Sequence, residues 1–382
     1  MAVLALLYKK KEPLWALASD IIQNAFHGRR HHYPDMEMPR LANFKPADPQ
    51  DARRFCQEFE EKKKDSYHQL AIEFHKIKTD TQQYLNNRNT TFGLQADVRH
   101  KNRYRDVVPY DHNRVRLASS PGNEVLAYIN ASNIKNPKGE VSFIATQGPT
   151  KETYEDFFCM LIEKGVKIVV TIISSINIEE GMQKRQCYQY WPRAVGASEP
   201  QGRFLVHLEA EFRRSSFVNR MLKIIGPTGT THRFNQLHYF EWKDHRIPNN
   251  PDDLISFLSV FRRAREPGTI PVVHCSAGVG RTGTFIALDF LMDSLQAGVR
   301  IDVAEMVKYL RSQRMLMVQT EEQYIFLYEC LNTLLRRQQQ QQQSNHHTNN
   351  SNNHRTSAGN NIHKSSGHAS SNGSSAISVQ MI

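Results

Sequence analysis

The chain has 382 residues, 39% of them hydrophobic, enough to bury the core of one large domain or two modest ones. Lys and Arg outnumber Asp and Glu by 49 to 38, a formal charge of +11 that favours acidic partners: nucleic acid, anionic lipid headgroups or phosphorylated peptides. The five cysteines, Cys56, Cys159, Cys187, Cys275 and Cys330, are scattered and form no Cys-x-x-Cys pair. That pattern argues against a disulfide framework or a structural zinc site and fits a reducing, cytoplasmic compartment.

Residues 1–50 read as a loosely ordered basic lead-in. The opening apolar run, Ala2 to Tyr8, is too short to span a bilayer and no cleavage-site pattern follows it. Because Lys9-Lys10-Lys11 comes next, the run reads either as a plain basic N-terminus or as the inner end of a truncated membrane anchor. From Asp51 to Ile77, Phe55, Phe59, Leu70, Ile72 and Phe74 lie among many charges and predict one or two surface helices, and Asn86 to Arg99 a polar loop.

Beyond Tyr104 the pattern alternates. Strands are predicted at Val125 to Ile129, Val141 to Thr146, Val166 to Ile173, Phe204 to Phe212, Met221 to Ile225, Leu237 to Trp242 and Ile270 to His274. Helices are predicted at Tyr154 to Lys164, Asp252 to Ala264, Thr282 to Ala297, Asp302 to Gln313 and Thr320 to Arg337. This alternation implies an α/β or α+β domain over residues 51–337, a central twisted mixed sheet flanked by helices. Six consecutive glutamines, Gln338 to Gln343, then open a Ser-, Asn- and His-rich tail, 338–382. With few apolar residues to offset ordering entropy, that tail is predicted to be disordered. Asn-x-Ser/Thr triplets at Asn89, Asn130 and Asn349 carry little information in a chain this polar.

The segment that carries chemistry runs from Pro271 to Gly283: a short apolar strand, a loop bounded by Cys275 and Arg281, then an apolar helix from Thr282. Strand, glycine-bearing loop and helix start are the parts of a phosphate cradle, in which backbone N–H groups converge with the positive end of the helix dipole on a bound dianion. The loop residues Ser276, Ala277, Gly278, Val279 and Gly280 would supply those amides, and Arg281 would grip two phosphate oxygens. The same positive field favours a thiolate, the nucleophilic form of cysteine, so Cys275 is the candidate nucleophile. Gly278, Gly280 and Gly283 also satisfy G-x-G-x-x-G, the dinucleotide-binding pattern, but that reading explains neither Cys275 nor Arg281.

His274 to Gly283 resembles the signature loop of the protein tyrosine phosphatase family. The resemblance extends over residues 70–335: Lys101-Asn-Arg-Tyr104-Arg-Asp106 is similar to the phosphotyrosine-recognition loop, Asp111 to Leu117 to its continuation, and Gln319-Thr-Glu-Glu-Gln323-Tyr to the glutamine loop. Tyr128-Ile-Asn-Ala-Ser132, Thr146-Gln-Gly-Pro149 and Gln189-Tyr-Trp-Pro192 are further blocks in family order. The resemblance implies a single catalytic domain over 51–337 that hydrolyses phosphotyrosine on proteins through a phosphocysteine on Cys275, with no cofactor and no metal. It implies that Tyr104 stacks on the substrate ring and sets a pocket too deep for phosphoserine, and that Asp106 accepts hydrogen bonds from the substrate backbone. Asp244 would be the general acid and then the general base. Gln319 would position the attacking water with help from Gln323, Thr282 would donate a hydrogen bond to the departing thiolate, and His274 would orient the loop. Phosphotyrosine-containing proteins are the implied partners, and nucleic acid, which rests on net charge alone, is not.

Departures from the family pattern matter as well. Trp242-Lys243-Asp244 stands where Trp-Pro-Asp is usual, which loosens the acid loop and predicts a slower first step. Gln186 occupies the place of a lysine before Cys187, so Glu180, Lys184 and Arg185 receive no catalytic role. The alternative function is a phosphotyrosine-binding pseudophosphatase with weak turnover. The segment Pro39 to Lys76 is vaguely like the membrane-proximal part of receptor-type members, so the chain reads as a free cytosolic enzyme or as the cytoplasmic part of a receptor.

Overall fold

Three of the apolar runs become the doubly covered centre of a mixed sheet. The computed structural model describes residues 49–87, 89–118, 122–174, 178–179, 186–242, 247–298 and 300–357. In chain order its elements are α1 Pro49–Lys64, α2 His68–Asn87, α3 Ala96–Arg99, β1 Arg114–Arg116, β2 Tyr128–Lys135, β3 Val141–Thr146, α4 Tyr154–Glu163 and β4 Ile168–Ile172. Then come β5 Ile178–Glu179, β6 Cys187–Tyr188, β7 Ser198–Gln201, β8 Phe204–Arg213, β9 Phe217–Ile225, β10 Thr231–Tyr239, α5 Pro251–Ala264, β11 Val272–His274, α6 Gly280–Gln296, α7 Val303–Arg311 and α8 Glu321–Ser357.

The main sheet has nine strands in the order β1-β2-β3-β11-β4-β10-β9-β8-β7. Late strand β11 inserts between β3 and β4 and runs parallel to both, while β4 is parallel to β10 and the outer pairs are antiparallel. Parallel strands in mid-sheet are buried on both faces, which is why β3, β4 and β11 read as continuous apolar runs without alternation. Neighbouring side chains still point to opposite faces. Val273 faces the helical side with α5, α6, α7 and α8, whereas Val272 faces α4 and the aromatic residues Phe157, Phe158, Tyr190 and Trp191. With nothing in the sequence to pair them, the short strands β1 and β7 and the turn-length helix α3 carried no legible signal.

Helices α1 and α2 pack on the helical face through Cys56, Phe59, Leu70, Phe74 and Ile77, while Ile72 points outward at 58% exposure. Helix α8 does not stop at Arg337. It continues through the glutamine run to Ser357. Glutamine has a helix propensity close to that of leucine, and the docked first half of α8 supplies the nucleus, so each added residue costs only a propagation step. The remainder of the expected tail, 358–382, and the lead-in before Pro49 lie outside the described residues. Among the described residues no helix is long and apolar enough to cross a membrane.

Candidate active site

Cys275 begins the loop between β11 and α6, at the carboxyl ends of parallel β3, β4 and β11, the edge at which open α/β sheets place their ligand crevices. A cleft of about 500 Å³ opens there, with Cys275 on its floor, Arg281 at the start of α6, Tyr104 and Asp106 on one wall and Gln319 and Gln323 on the other. The cysteine is 4% exposed, whereas Gln319 and Asp106 are exposed at the mouth.

The cradle is built from behind. The carbonyl of Ser276 accepts from the amide of Gly148 at 2.8 Å, that of Ala277 from Nη2 of Arg314 at 3.1 Å, and that of Gly278 from Nε of Arg314 at 2.8 Å. In a trans peptide the N–H points opposite to the C=O, so three successive carbonyls held outward leave the amides of Ala277, Gly278 and Val279 turned inward. Gly278 makes the turn at φ +70°, and a Cβ there would sit 2.1 Å from the carbonyl oxygen of Thr146. No side chain caps the start of α6 at Val279, which leaves the first-turn amides of that helix for an anion.

Arg314 is fully buried, and it also donates to Ser132 Oγ at 3.1 Å and Asn130 Oδ1 at 2.8 Å. Burial pulls it down to about 10, which still leaves a full positive charge under the loop at neutral pH. Sequence reasoning missed this residue. Its one signal was an arginine beside the apolar run Met315 to Val318. The same contact shows why Asn130, 1% exposed, is no glycosylation site.

His274 is buried and neutral. Its Nε2 lies 2.9 Å from Thr171 Oγ1 and 3.0 Å from Tyr190 OH, and Gln236 donates to Tyr190 OH at 2.9 Å. Desolvation pushes His274 down from 6.5 to about 4, and desolvation with nearby Arg220 pushes buried His238 down to about 3. An unfolded chain takes up those protons near pH 6.5, so this stability is complete above pH 6.5 and drains away as the pH falls toward 4. Each histidine then withdraws ~3 kcal/mol at pH 4. Asp289 works the other way: burial raises it to about 6, so it loses rather than gains stability as pH rises through that value. Two histidines outweigh one aspartate, and the expected result is a lower denaturant midpoint at pH 4.5 than at pH 7.5. A flat midpoint across that range would refute it.

The recognition segment is latched to the strand-end block. Gln147 accepts from the Arg103 amide at 2.9 Å and donates to the Lys101 carbonyl at 2.8 Å, and Arg103 grips the carbonyls of Gly148 at 3.0 Å and Pro149 at 2.7 Å. These contacts hold Tyr104 upright, its hydroxyl 2.8 Å from Ser276 Oγ. On the opposite side, Gln323 Oε1 accepts from the amides of Gln319 at 2.9 Å and Thr320 at 3.3 Å, so Gln323 shapes the turn that presents Gln319. Thr282 Oγ1 is buried with no hydrogen-bond partner among the described residues, which leaves its proton for an incoming group. Gln186 is brought into the cleft, its Oε1 accepting from Arg281 Nη1 at 3.1 Å, a contact the sequence did not suggest.

Asp244 and Lys243 lie outside the described residues, as do Glu180, Lys184 and Arg185. The described flanks of the acid segment are anchored. Trp242 is fully buried, edge-on to Phe326 at 5.8 Å, and Ile247 packs on the main core.

Residues 98–333 match the family model described as protein-tyrosine phosphatase. The chain is 38% identical over 247 residues to tyrosine-protein phosphatase non-receptor type 20 of Homo sapiens, a match covering 64% of this chain and 56% of that protein. It is 40% identical over 235 residues to receptor-type tyrosine-protein phosphatase V of Rattus norvegicus, covering 60% of this chain and 13% of that one. With receptor-type tyrosine-protein phosphatase eta of Gallus gallus it shares 38% over 245 residues, 63% of this chain and 17% of the relative. The chain thus spans about half of the first of these relatives and a small part of the other two.

Proposed function

From a chain that belongs to the protein-tyrosine phosphatase family, we propose an enzyme that hydrolyses phosphotyrosine on proteins through a phosphocysteine formed on Cys275. The observation that carries this reading is the cradle: a cysteine on the floor of a cleft, in a loop whose carbonyls are tied away from it, with Arg281 at the start of the following helix.

In the first step Cys275 Sγ attacks phosphorus as the bond from phosphorus to the tyrosine oxygen breaks, and Asp244 gives its proton to that oxygen. Inward amides and Arg281 stabilise the charge on the transferring phosphoryl group without reorganising. In the second step a water held by Gln319 attacks phosphorus, its proton passes to the Asp244 carboxylate, and the S–P bond breaks to release orthophosphate. The unpartnered hydroxyl of Thr282 supports its role as donor to the departing thiolate. Chemistry of this kind needs no metal, since arginine and backbone amides supply the electrostatics.

Tyr104, exposed beside a cleft in which Cys275 is recessed, supports the choice of substrate, because a phenyl phosphate reaches farther into such a cleft than the shorter phosphoserine side chain. A displacement of an ångström or more in the reacting atoms costs on the order of 100-fold. Two peptides of the same sequence, one carrying phosphotyrosine and one phosphoserine, assayed in the presence of a chelator, test the reading. The expected result is turnover of the first alone, with kcat/KM favouring it by at least about 100-fold. Equal rates, or turnover that requires an added divalent ion, would overturn it.

A further inference from the structure

We propose that Glu73, on α2, is a positioning residue for the second chemical step: through Tyr324 and Tyr328 it fixes the start of α8, and with it the turn that presents Gln319 to the attacking water. The proposal rests on the phosphocysteine reading above. Glu73 lies before the part of the chain that the family model covers, residues 98–333, and outside the cleft itself.

Its carboxylate Oε1 accepts from the hydroxyl of Tyr324 and from that of Tyr328, the latter at 2.7 Å, and Oε2 pairs with Lys62 at 3.2 Å. Both tyrosines are buried, one helical turn apart on α8, with rings edge-on at 5.5 Å. Phenols facing a carboxylate in an apolar setting donate hydrogen bonds to it and stay neutral, so the pair is a fixed two-point hold on one oxygen. Tyr324 directly follows Gln323, the residue whose side chain closes the Gln319 turn.

A second tether from α2 reaches the other end of the same segment. Arg311 donates through Nη1 to Thr81 Oγ1 at 3.2 Å, through Nε to the Met317 carbonyl at 3.1 Å and through Nη2 to the Val318 carbonyl at 2.8 Å. Its guanidinium lies over the Phe74 ring at 5.2 Å, and Phe74 in turn packs on Tyr324 at 5.4 Å. At the second tether, Leu316 and Val318 hold φ of 58° and 56°. For a β-branched valine that conformation is rare and strained, so it persists only where the surroundings impose it. The Gln319 turn is therefore held by α2 in a shape it would not adopt alone, and loosening α2 lets it relax.

The consequence is a split between the two steps. Formation of the phosphocysteine uses Asp244 and the cradle, and Glu73 does not line the cleft in which the cradle lies. Its hydrolysis, in which the water oxygen bonds phosphorus as S–P breaks and the proton goes to Asp244, uses Gln319. With kcat/KM reporting events through release of tyrosine and kcat including hydrolysis, Glu73→Leu is expected to lower kcat about ten-fold and leave kcat/KM within about two-fold, so that KM falls too. Acid-quenched enzyme should carry more phosphate at saturating substrate. Tyr324→Phe, a milder change that carries the test if Glu73→Leu does not fold, should show the same split at about three-fold, and Glu73→Gln, which keeps an acceptor, should restore kcat. Equal falls in kcat and kcat/KM, or no change in either, would overturn the proposal. Failure of the underlying reading looks different: wild-type enzyme would then carry no acid-stable phosphate on Cys275.

Discussion

Replacing Cys275 by serine is expected to abolish turnover while leaving phosphopeptide binding intact. A serine hydroxyl is a far weaker nucleophile at neutral pH than a thiolate, and a nucleophile removed from a concerted set of groups costs about 10⁵-fold or more in kcat. Binding survives because its determinants are elsewhere: inward loop amides fixed by Gly148 and Arg314, and the Arg281 side chain. The substitution is nearly isosteric and leaves those contacts untouched. Calorimetric titration of a phosphotyrosine peptide into Cys275→Ser, set beside steady-state rates, gives both halves. Turnover near that of the wild type would remove Cys275 from the mechanism.

The second large effect belongs to Arg281. Lysine at that position keeps the charge but loses the planar fork that meets two phosphate oxygens at once. It also loses the fixed orientation, because a guanidinium held by Gln186 Oε1 at 3.1 Å is aimed across the cleft, whereas an ammonium is a mobile point charge. Removing one preorganised donor of transition-state charge costs roughly 10²–10³-fold, and losing a bidentate pair is expected to reach about 10³-fold in kcat/KM. Competitive inhibition by vanadate, an oxyanion of phosphate-like shape and charge, should weaken in parallel. Retention of wild-type kcat/KM in Arg281→Lys would mean that the backbone amides bind the phosphoryl group without the guanidinium.

The residues that the proposed mechanism places on the reacting atoms were legible in sequence because chemistry restricts their type and local spacing: Cys275, Arg281 and the intervening loop sit in one strand-turn-helix segment. Tyr104, Gln319 and Gln323 were legible only through family order, since nothing in their own neighbourhoods marks them. What stayed hidden is the scaffolding that crosses the fold. Arg314 reaches Ala277 and Gly278 from far along the chain, and Gln147 stitches Lys101 and Arg103 to a strand end. Such contacts depend on β11 lying between β3 and β4, an order that no local pattern encodes. The start of α5 was legible to within one residue, and the Asn250 side chain accepts from the Asp252 amide there. The end of α8 was not. Polar composition there suggested disorder, yet glutamine extends a helix that is already nucleated.

Incubating the enzyme with a phosphotyrosine peptide, quenching in acid within the first turnover and locating the phosphate by peptide mass spectrometry tests the central claim most directly. The account predicts one phosphate on Cys275 in the wild type and none on any cysteine of Cys275→Ser. Full turnover with no phosphate on Cys275 at any quench time, or with phosphate on another residue, would contradict it.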